Sequence, residues 1–527
     1  MRGDHMWGSI PGLVRDAADR YADLDAIVEE GVRLSYAELG QRVRDAARAT
    51  IAAGIAPGDR VAIWAPNTWE WVIAALGAVS SGAILVPINT RFKGREAGFV
   101  LQRSGARLLF TTRGFLDLDF PALLQEAAVE LPALERTVLL RGDGEKSFDD
   151  FLARGSSVTA EHAYEHAKLI GPDHLSDIIF TSGTTGMPKG VMTTHGQALR
   201  VFETWSRLVG LTEGDRYLIV NPFFHTFGYK AGILACLMRG AAIIPHAVFD
   251  VPTVLAKIAA ERVTMLPGPP TLYQSILNHP DRGNLDLSSL RLAVTGAAAV
   301  PVEMIKRMRS DLTFTTILTA YGLTEATGTV TMCREGDEPE TIANTSGRAI
   351  PDTEVRIVGD DGKEVERGEP GEIVVRGYNV MRGYYEDPEQ TAEAIDADGW
   401  LHTGDIGVMD DDGYVRITDR KKDMFIVGGF NAYPAEIENE LLRHPSIAQA
   451  AVVGAPDPRM GEVGIAFVVA RAGETVDADT VIAWARDQMA NYKVPRRVEV
   501  VDALPVNASG KVLKFELRER AAKLVAG

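Results

Sequence analysis

Thr181-Ser182-Gly183-Thr184-Thr185-Gly186-Met187-Pro188-Lys189-Gly190 is the stretch on which the reading of this chain turns. It follows Asp177-Ile178-Ile179-Phe180, a short run that reads as a buried strand. The stretch holds three glycines, four hydroxyl side chains and one lysine, with no acid. Glycines let backbone N–H groups approach an anion, hydroxyls add donors, and the lysine adds charge. This is the composition of a loop that wraps a polyphosphate; the competing reading is a Gly/Thr turn that holds nothing. The order is not the P-loop pattern G-x-x-x-x-G-K-[ST], because Pro188 precedes Lys189 and Gly190 follows it. The expectation is a nucleoside triphosphate bound outside the P-loop class.

Outward from the loop, apolar strands alternate with helical patterns. Towards the N-terminus, residues 59–64, 83–87 and 107–111 read as strands, and residues 9–21 and 69–79 as helices. Another helix starts at Ser35, with Glu38 placed for a capping box. Towards the C-terminus, residues 216–220, 241–245, 263–266, 290–295 and 315–318 read as strands, with helical patterns at 252–261 and 302–310. This alternation implies crossover units and mostly parallel sheets. Residues 112–174 are more polar and read as a peripheral excursion. From Val355 to Ile417 short strands and Gly/Asp turns form a β-rich subdomain. After the basic junction Thr418-Asp419-Arg420-Lys421-Lys422-Asp423 comes a small α+β unit. The predicted fold class is therefore α/β: a large N-terminal domain of parallel sheets flanked by helices, with the β-rich subdomain, over residues 1–421, and a small C-terminal domain over 422–527.

The chain has 527 residues, enough for two or more domains, and a formal net charge of -17. That balance argues against a nucleic-acid surface, and any phosphate ligand must be met by a local cluster of donors. Cys236 and Cys333 lie at no metal-ligand spacing and suit buried thiols in a reducing cytoplasm. Residues 1–6 lack an apolar run, so no signal peptide is read there. Residues 71–88 are broken by Gly77, Ser80, Ser81, Gly82 and Pro87, which fits a helix and a strand in a core better than a membrane span. The expected location is the cytoplasm.

Other stretches carry chemistry. Tyr321-Gly322-Leu323-Thr324-Glu325 follows a strand, where parallel sheets open ligand crevices. It offers a ring for a base, a hydroxyl for a phosphate and a carboxylate for magnesium, or else a plain turn with a capping acid. Gly296-Ala297-Ala298-Ala299 leaves room for a flat ring or for close helix packing. Thr403-Gly404-Asp405 offers a carboxylate to a ribose, or is a surface turn. Lys511, after Ser509-Gly510, is either a solvated lysine or a loop cation for a developing oxyanion.

Taken in order, Thr181 to Gly190, Tyr321 to Glu325, Thr403 to Asp405, Asp419-Arg420, Gly428-Gly429 and Gly510-Lys511 resemble the adenylate-forming superfamily of acyl-CoA synthetases, luciferases and peptide-synthetase adenylation domains. The resemblance spans residues 34–511. It implies a carboxylate attacking the α-phosphate of ATP to give an acyl-AMP, then displacement of AMP by a thiol, usually coenzyme A. It also implies roles. Thr181, Ser182, Gly183, Thr184, Thr185, Gly186 and Lys189 would hold the β- and γ-phosphates. Tyr321 would stack on adenine beside Gly296, Ala297 and Ala298, with Gly322 also in the nucleotide-binding set. Thr324 would touch phosphate, Glu325 would bind Mg2+, and Asp405 and Arg420 would fix the ribose. Lys511 would bridge carboxylate and phosphate in the first step. Lys422 would be the hinge of a mobile C-terminal domain, and Gly428 and Gly429 would line the CoA tunnel. His225, with Phe227, Gly228, Tyr229 and Lys230, would line the acyl pocket, with His225 its gate; on residue type alone His225 is a packed core histidine. Residues 223–237, 266–280 and 287–302 are similar to actinobacterial acyl-CoA synthetases of steroid degradation, which implies an indanedione propanoate as the acid. Lys230 either meets a keto group of that acid or is a surface or ion-paired lysine. A medium-chain or aryl acid, and a non-catalytic nucleotide-binding module, are the alternatives. The expected partners are the acid, ATP and CoA, and the expected assembly beyond a monomer is a homodimer.

Overall fold

The computed structural model describes residues 2–142, 144, 146–181, 188–296, 300–359, 361–420, 424–471, 473–505, 512 and 514–526, with backbone alone for 418–420, 431, 435, 439, 515 and 526. Two large sheets and two small ones organise it. The first has six strands in the order Lys189–Thr194, Leu175–Thr181, Ile84–Pro87, Arg60–Trp64, Leu108–Thr111, Arg136–Leu139. Every pairing is parallel except that of Leu175–Thr181 with Lys189–Thr194. The Thr181 to Gly190 stretch thus joins two antiparallel neighbours, with Lys189 opposite Thr181. The edge strand Arg136–Leu139 lies in the region read as an excursion, so that reading is corrected. Only Val138 and Leu139 are buried, because an edge strand is covered on fewer sides and carries little apolar signal.

The second sheet runs Val32–Ser35, Asp25–Glu29, Ala242–Pro245, Arg216–Ile219. Bridges from Tyr217 to Met265 and from Met265 to Leu292 connect it to Leu292–Thr295, Thr316–Tyr321, Thr331–Met332 and Arg348–Ala349. The carboxyl ends of its parallel strands bring residues 219–221, 266–268, 295–296 and 320–321 to one edge, the place where such sheets bind ligands. Helix Tyr36–Ala52 carries the expected Ser35/Glu38 capping box, and helix Trp69–Ser80 is buried along nearly its whole length.

Residues 353–420 form a four-stranded antiparallel meander, as expected from the hairpin pattern. The last sheet orders Phe430–Ala432, Phe425–Val427, Gly461–Ala470 and Ile447–Asp457, with Arg497–Val500 parallel to Gly461–Ala470. No helix among the described residues is long and apolar enough to cross a membrane.

Candidate active site

Strand Leu175–Thr181 delivers Thr181 to the site, and the turn after strand Thr316–Tyr321 delivers Glu325. Thr181 Oγ1 donates to Glu325 Oε1 at 3.5 Å, and Tyr384 OH donates to the same oxygen at 3.0 Å. Burial pushes the Glu325 carboxyl up, and the hydrogen bond from Tyr384, the Lys189 charge and Thr181 oppose that shift. Lys189 Nζ lies 5.0 Å from the Tyr384 ring centroid and hydrogen-bonds Gln390. Tyr384 is held there by the backbone: the 382–385 segment pairs with Lys189–Thr194, Tyr385 N–H donating to Gly190 O at 2.7 Å. Gly322 is needed for this turn, since a Cβ there would lie 2.1 Å from Gly328 O.

Tyr321 and Asp405, 84 positions apart, meet through a 2.6 Å hydrogen bond from Tyr321 OH to Asp405 Oδ2. Both are buried, and Asp405 pairs across the antiparallel ladder with Arg420. Gly296 closes strand Leu292–Thr295, beside Ala320, at the same edge. Thr324 opens a single 3-10 turn that also contains Glu325. Ser182, Gly183, Thr184, Thr185, Gly186, Ala297, Ala298, Lys422 and Lys511 lie outside the described residues, as does the Arg420 side chain.

The acyl-side residues separate into two groups. Residues Phe227–Leu234 form a π-helix, the wide-turn form that recurs at functional sites. Before it, His225 is solvent-exposed yet recessed among protein atoms, and that crowding pulls its pKa below the ordinary value. Phe227 N–H donates to His225 Nδ1 at 3.2 Å, which makes Nδ1 the acceptor and leaves the imidazole neutral with its proton on Nε2. Gly228 fits only as glycine, because a Cβ would sit 2.1 Å from Pro222 O. Thr226 packs against Gly328, three residues past Glu325, so the segment carrying His225 lies beside the carboxylate turn.

Tyr229 and Lys230 are buried, unlike His225. Tyr229 is fully buried, edge-on to Trp71 at 5.8 Å. Lys230 is fully buried, with Nζ 2.8 Å from Asp177 Oδ1. The contact is a buried ion pair. Asp177 Oδ2 in turn accepts from Ser176 Oγ at 2.6 Å. Of the two expectations for Lys230, the structure shows the ion-paired lysine: its partner is the acid of the strand that leads into the Thr181 to Gly190 stretch. Burial pulls the Lys230 pKa down against the opposing pull of Asp177.

A third cluster surrounds the Gly428-Gly429 turn. A cavity of about 340 Å³ is lined by Arg91, Gly428, Phe430, Arg459, Tyr492 and Arg496. Phe430 stacks on Tyr492 at 4.9 Å, and the Arg91 guanidinium lies 5.6 Å from the Phe430 centroid. A Cβ on Gly429 would lie 3.9 Å from Pro269 Cγ, so the turn faces the carboxyl edge of the second sheet.

The sequence profile of the AMP-binding enzyme family matches residues 14–385, and that of the AMP-binding enzyme C-terminal domain matches residues 436–511. The chain belongs to the AMP-binding enzyme family. A relative in Rhodococcus jostii (strain RHA1), the 3-[(3aS,4S,7aS)-7a-methyl-1,5-dioxo-octahydro-1H-inden-4-yl]propanoyl:CoA ligase, is 52% identical over 97% of this chain and 98% of its own. Among solved structures, a double mutant of the o-succinylbenzoate CoA synthetase of Bacillus subtilis, bound to a product analogue, superposes with a TM-score of 0.82 at 29% identity, covering 97% of each chain. The ATP-bound MatB of Rhodopseudomonas palustris gives 0.70 at 29% identity, covering 98% of this chain and 100% of its own.

For this AMP-binding enzyme, reading the sequence missed Tyr384, Gln390 and Asn67. Asn67 is buried, its Nδ2 donating to Ile219 O at 3.1 Å and Asn221 O at 2.9 Å, while its Oδ1 accepts from Phe223 N–H at 2.8 Å. It braces the segment that ends at His225. Asp177 carried a usable signal, an acid inside an apolar strand, which requires a buried partner.

Proposed function

We propose that this chain is an ATP-dependent carboxylic acid:CoA ligase that forms AMP and pyrophosphate and acts on a bicyclic indanedione propanoate. The observation that carries the reaction type is the 3.5 Å meeting of Thr181 with Glu325, which places a half-buried carboxylate at the mouth of the phosphate-loop stretch. The acid is assigned from the ligase relative covering 97% of the chain.

In the first step a carboxylate oxygen of the acid bonds to the α-phosphorus. The bond from that phosphorus to the bridging oxygen breaks, and pyrophosphate leaves. Residues 181–189 hold the leaving phosphates, and Lys511 screens the two approaching anions, where added positive charge counts most in the transition state. Tyr321 and Asp405 hold the nucleoside, with Asp405 and Arg420 on the ribose and Tyr321, already hydrogen-bonded to Asp405, against the base. In the second step the CoA sulfur bonds to the acyl carbon, and AMP leaves with the carboxylate oxygen it gained.

Glu325 is suited to Mg2+. Its half-buried setting raises the carboxyl pKa, and a hard cation would favour its charged form. Among the described residues no group of three or more His, Cys, Asp or Glu could hold an ion alone, so most ligands would come from phosphate and water, as magnesium favours. When bound, the ion supplies positive charge to the phosphate oxygens.

His225, neutral and recessed, guards the acid side, and Phe227 lies behind it, edge-on to Trp205 at 5.9 Å. Arg91, Arg459 and Arg496 suit the phosphates of CoA, and Phe430 with Tyr492 suits its base. Gly428 and Gly429 leave the pantetheine a path towards Pro269. Both cysteines are free and buried, which fits a reducing cytoplasm. We assign residues 422–527 as the unit that turns at Lys422 and a homodimer as the assembly.

The test is incubation with ATP, Mg2+ and CoA against a panel of acids: the indanedione propanoate, medium-chain fatty acids and aromatic acids. Thioester with AMP and pyrophosphate, fastest for the indanedione acid, is expected. A higher kcat/KM for a fatty or aryl acid overturns the substrate, and ADP as product overturns the reaction.

A further inference from the structure

The arginine-lined cavity lies on a seam between residues 89–96 and residues 427–496, and one buried lysine crosses it. The Lys493 side chain is 1% exposed, its Nζ 2.6 Å from Glu96 Oε1 and hydrogen-bonded to Glu436 Oε1. Glu96 belongs to the segment matched by the AMP-binding profile, and Glu436 to the segment matched by the C-terminal profile. Nζ also lies 4.6 Å from the Phe92 ring centroid. Burial alone would lower the lysine pKa, but Tyr492, Glu96 and Glu436 outweigh burial and raise it. The ammonium is therefore charged, paired on both sides and closed off from water.

Other contacts cross the seam beside it. Asn89 Nδ2 donates to Tyr492 OH at 3.4 Å, and Arg95 lies 4.0 Å from Glu440. The neighbour of Lys493 in the chain, Tyr492, is itself a wall of the cavity, and Arg91, on the far wall, is five positions before Glu96. Fixing Lys493 against Glu96 therefore fixes both walls relative to each other. A buried ion pair is a poor source of net stability but strongly sets geometry, because losing one partner leaves a charge uncompensated. Thr181 meets Glu325, and Tyr321 meets Asp405, through hydrogen bonds of their own in other elements of the fold.

We propose that Lys493 is a positioning residue for thiol acceptance: paired with Glu96 across the seam, it assembles the cavity that receives CoA, and it takes no part in acyl-adenylate formation. This rests on the reading of that cavity as the CoA site. Glu96→Gln is the cleanest perturbation. Lys493 keeps Glu436, and glutamine still serves the capping box in which Glu96 Oε2 accepts Lys93 N–H at 2.8 Å.

The experiment measures two steps separately on the full chain: acid-dependent exchange of pyrophosphate into ATP, and thioester formation from preformed acyl-AMP and CoA. For Glu96→Gln, exchange stays within about twofold of the parent, while kcat/KM for CoA falls by on the order of tenfold or more. Glu96→Asp recovers part of the loss, and Lys493→Met, where it folds, repeats the pattern. Equal losses in both steps, a loss confined to exchange, or no loss in either overturns the proposal. A parent protein that exchanges pyrophosphate but makes no thioester with CoA overturns instead the functional reading on which the proposal rests. A parent that makes thioester, with no selective loss in Glu96→Gln, overturns this proposal alone.

Discussion

Lys230→Met tests whether this lysine is structural or meets the substrate. Lys230 Nζ lies 2.8 Å from Asp177 Oδ1, and both side chains are 1% exposed or less. Removing the cation leaves a carboxylate in the core that, among the described residues, accepts a side-chain hydrogen bond from Ser176 Oγ alone. Breaking a buried pair from one side costs about 3–5 kcal/mol. With roughly 2.1 cal/mol/K of unfolding entropy per residue, a cooperative unit on the order of 400 residues loses about 4–6 °C in Tm for that cost. The double variant Lys230→Met/Asp177→Leu replaces both charges with apolar groups and is expected within about 1 kcal/mol of the parent. Urea unfolding of the parent, both single variants and the double variant gives the coupling energy, and KM for the acid is measured on the double variant. A destabilisation of Lys230→Met below about 1 kcal/mol, or a double variant as unstable as the single, would refute the pairing. A large rise in KM for the acid in a stable double variant would refute the claim that Lys230 does not touch substrate.

Glu325→Gln keeps the shape of the carboxylate and removes its charge, so exchange of pyrophosphate into ATP is expected to fall on the order of 100-fold, with the Mg2+ requirement shifted upward in a titration. Asn67→Ala removes the three hydrogen bonds that brace residues 219–223, so KM for the acid is expected to rise several-fold while KM for ATP is unchanged in steady-state assays. His195 is fully buried and accepts Ile10 N–H at 3.2 Å, and burial, followed by the charges of His174 and Lys230, pulls its pKa down to about 3. Below its ordinary value of 6.5 the unfolded chain takes up a proton that the folded chain refuses, so stability is full above that value and is lost as pH falls towards 3. Between pH 6.5 and 4.5 the loss from this group is about 2 kcal/mol, and His195→Gln is expected to flatten the urea-unfolding profile by that amount.

What was legible is local: the strands that precede the loop stretch and the 321–325 turn both form. The loop stretch, the 321–325 turn and the Thr403-Gly404-Asp405 turn each carry their proposed chemistry within a few residues, and strand alternation placed two of them at strand ends. The Ser35/Glu38 box and the meander after Val355 follow from short-range patterns in the same way. What was not legible depends on partners far apart in the chain. Asp177 and Lys230 are 53 positions apart, and nothing in the Gly-Tyr-Lys-Ala-Gly run says that its lysine turns towards a strand rather than a pocket. The π-helix has no residue signature distinct from an α-helix; it is set by Gly228 against Pro222 O and Gly232 against Ile219. Lys493 is 397 positions from Glu96, so its role is invisible until the seam is formed. The edge strand Arg136–Leu139 was hidden because half of it is not buried.

The central claim is that the acid passes through an acyl-adenylate, and transfer of label tests it most directly. The indanedione propanoate is prepared with 18O in both carboxylate oxygens and turned over with ATP, Mg2+ and CoA, and the nucleotide product is analysed by mass spectrometry. The predicted result is AMP carrying one 18O for each thioester formed, because the oxygen that attacks the α-phosphorus leaves with it. Unlabelled AMP, or label carried into the pyrophosphate, would contradict it.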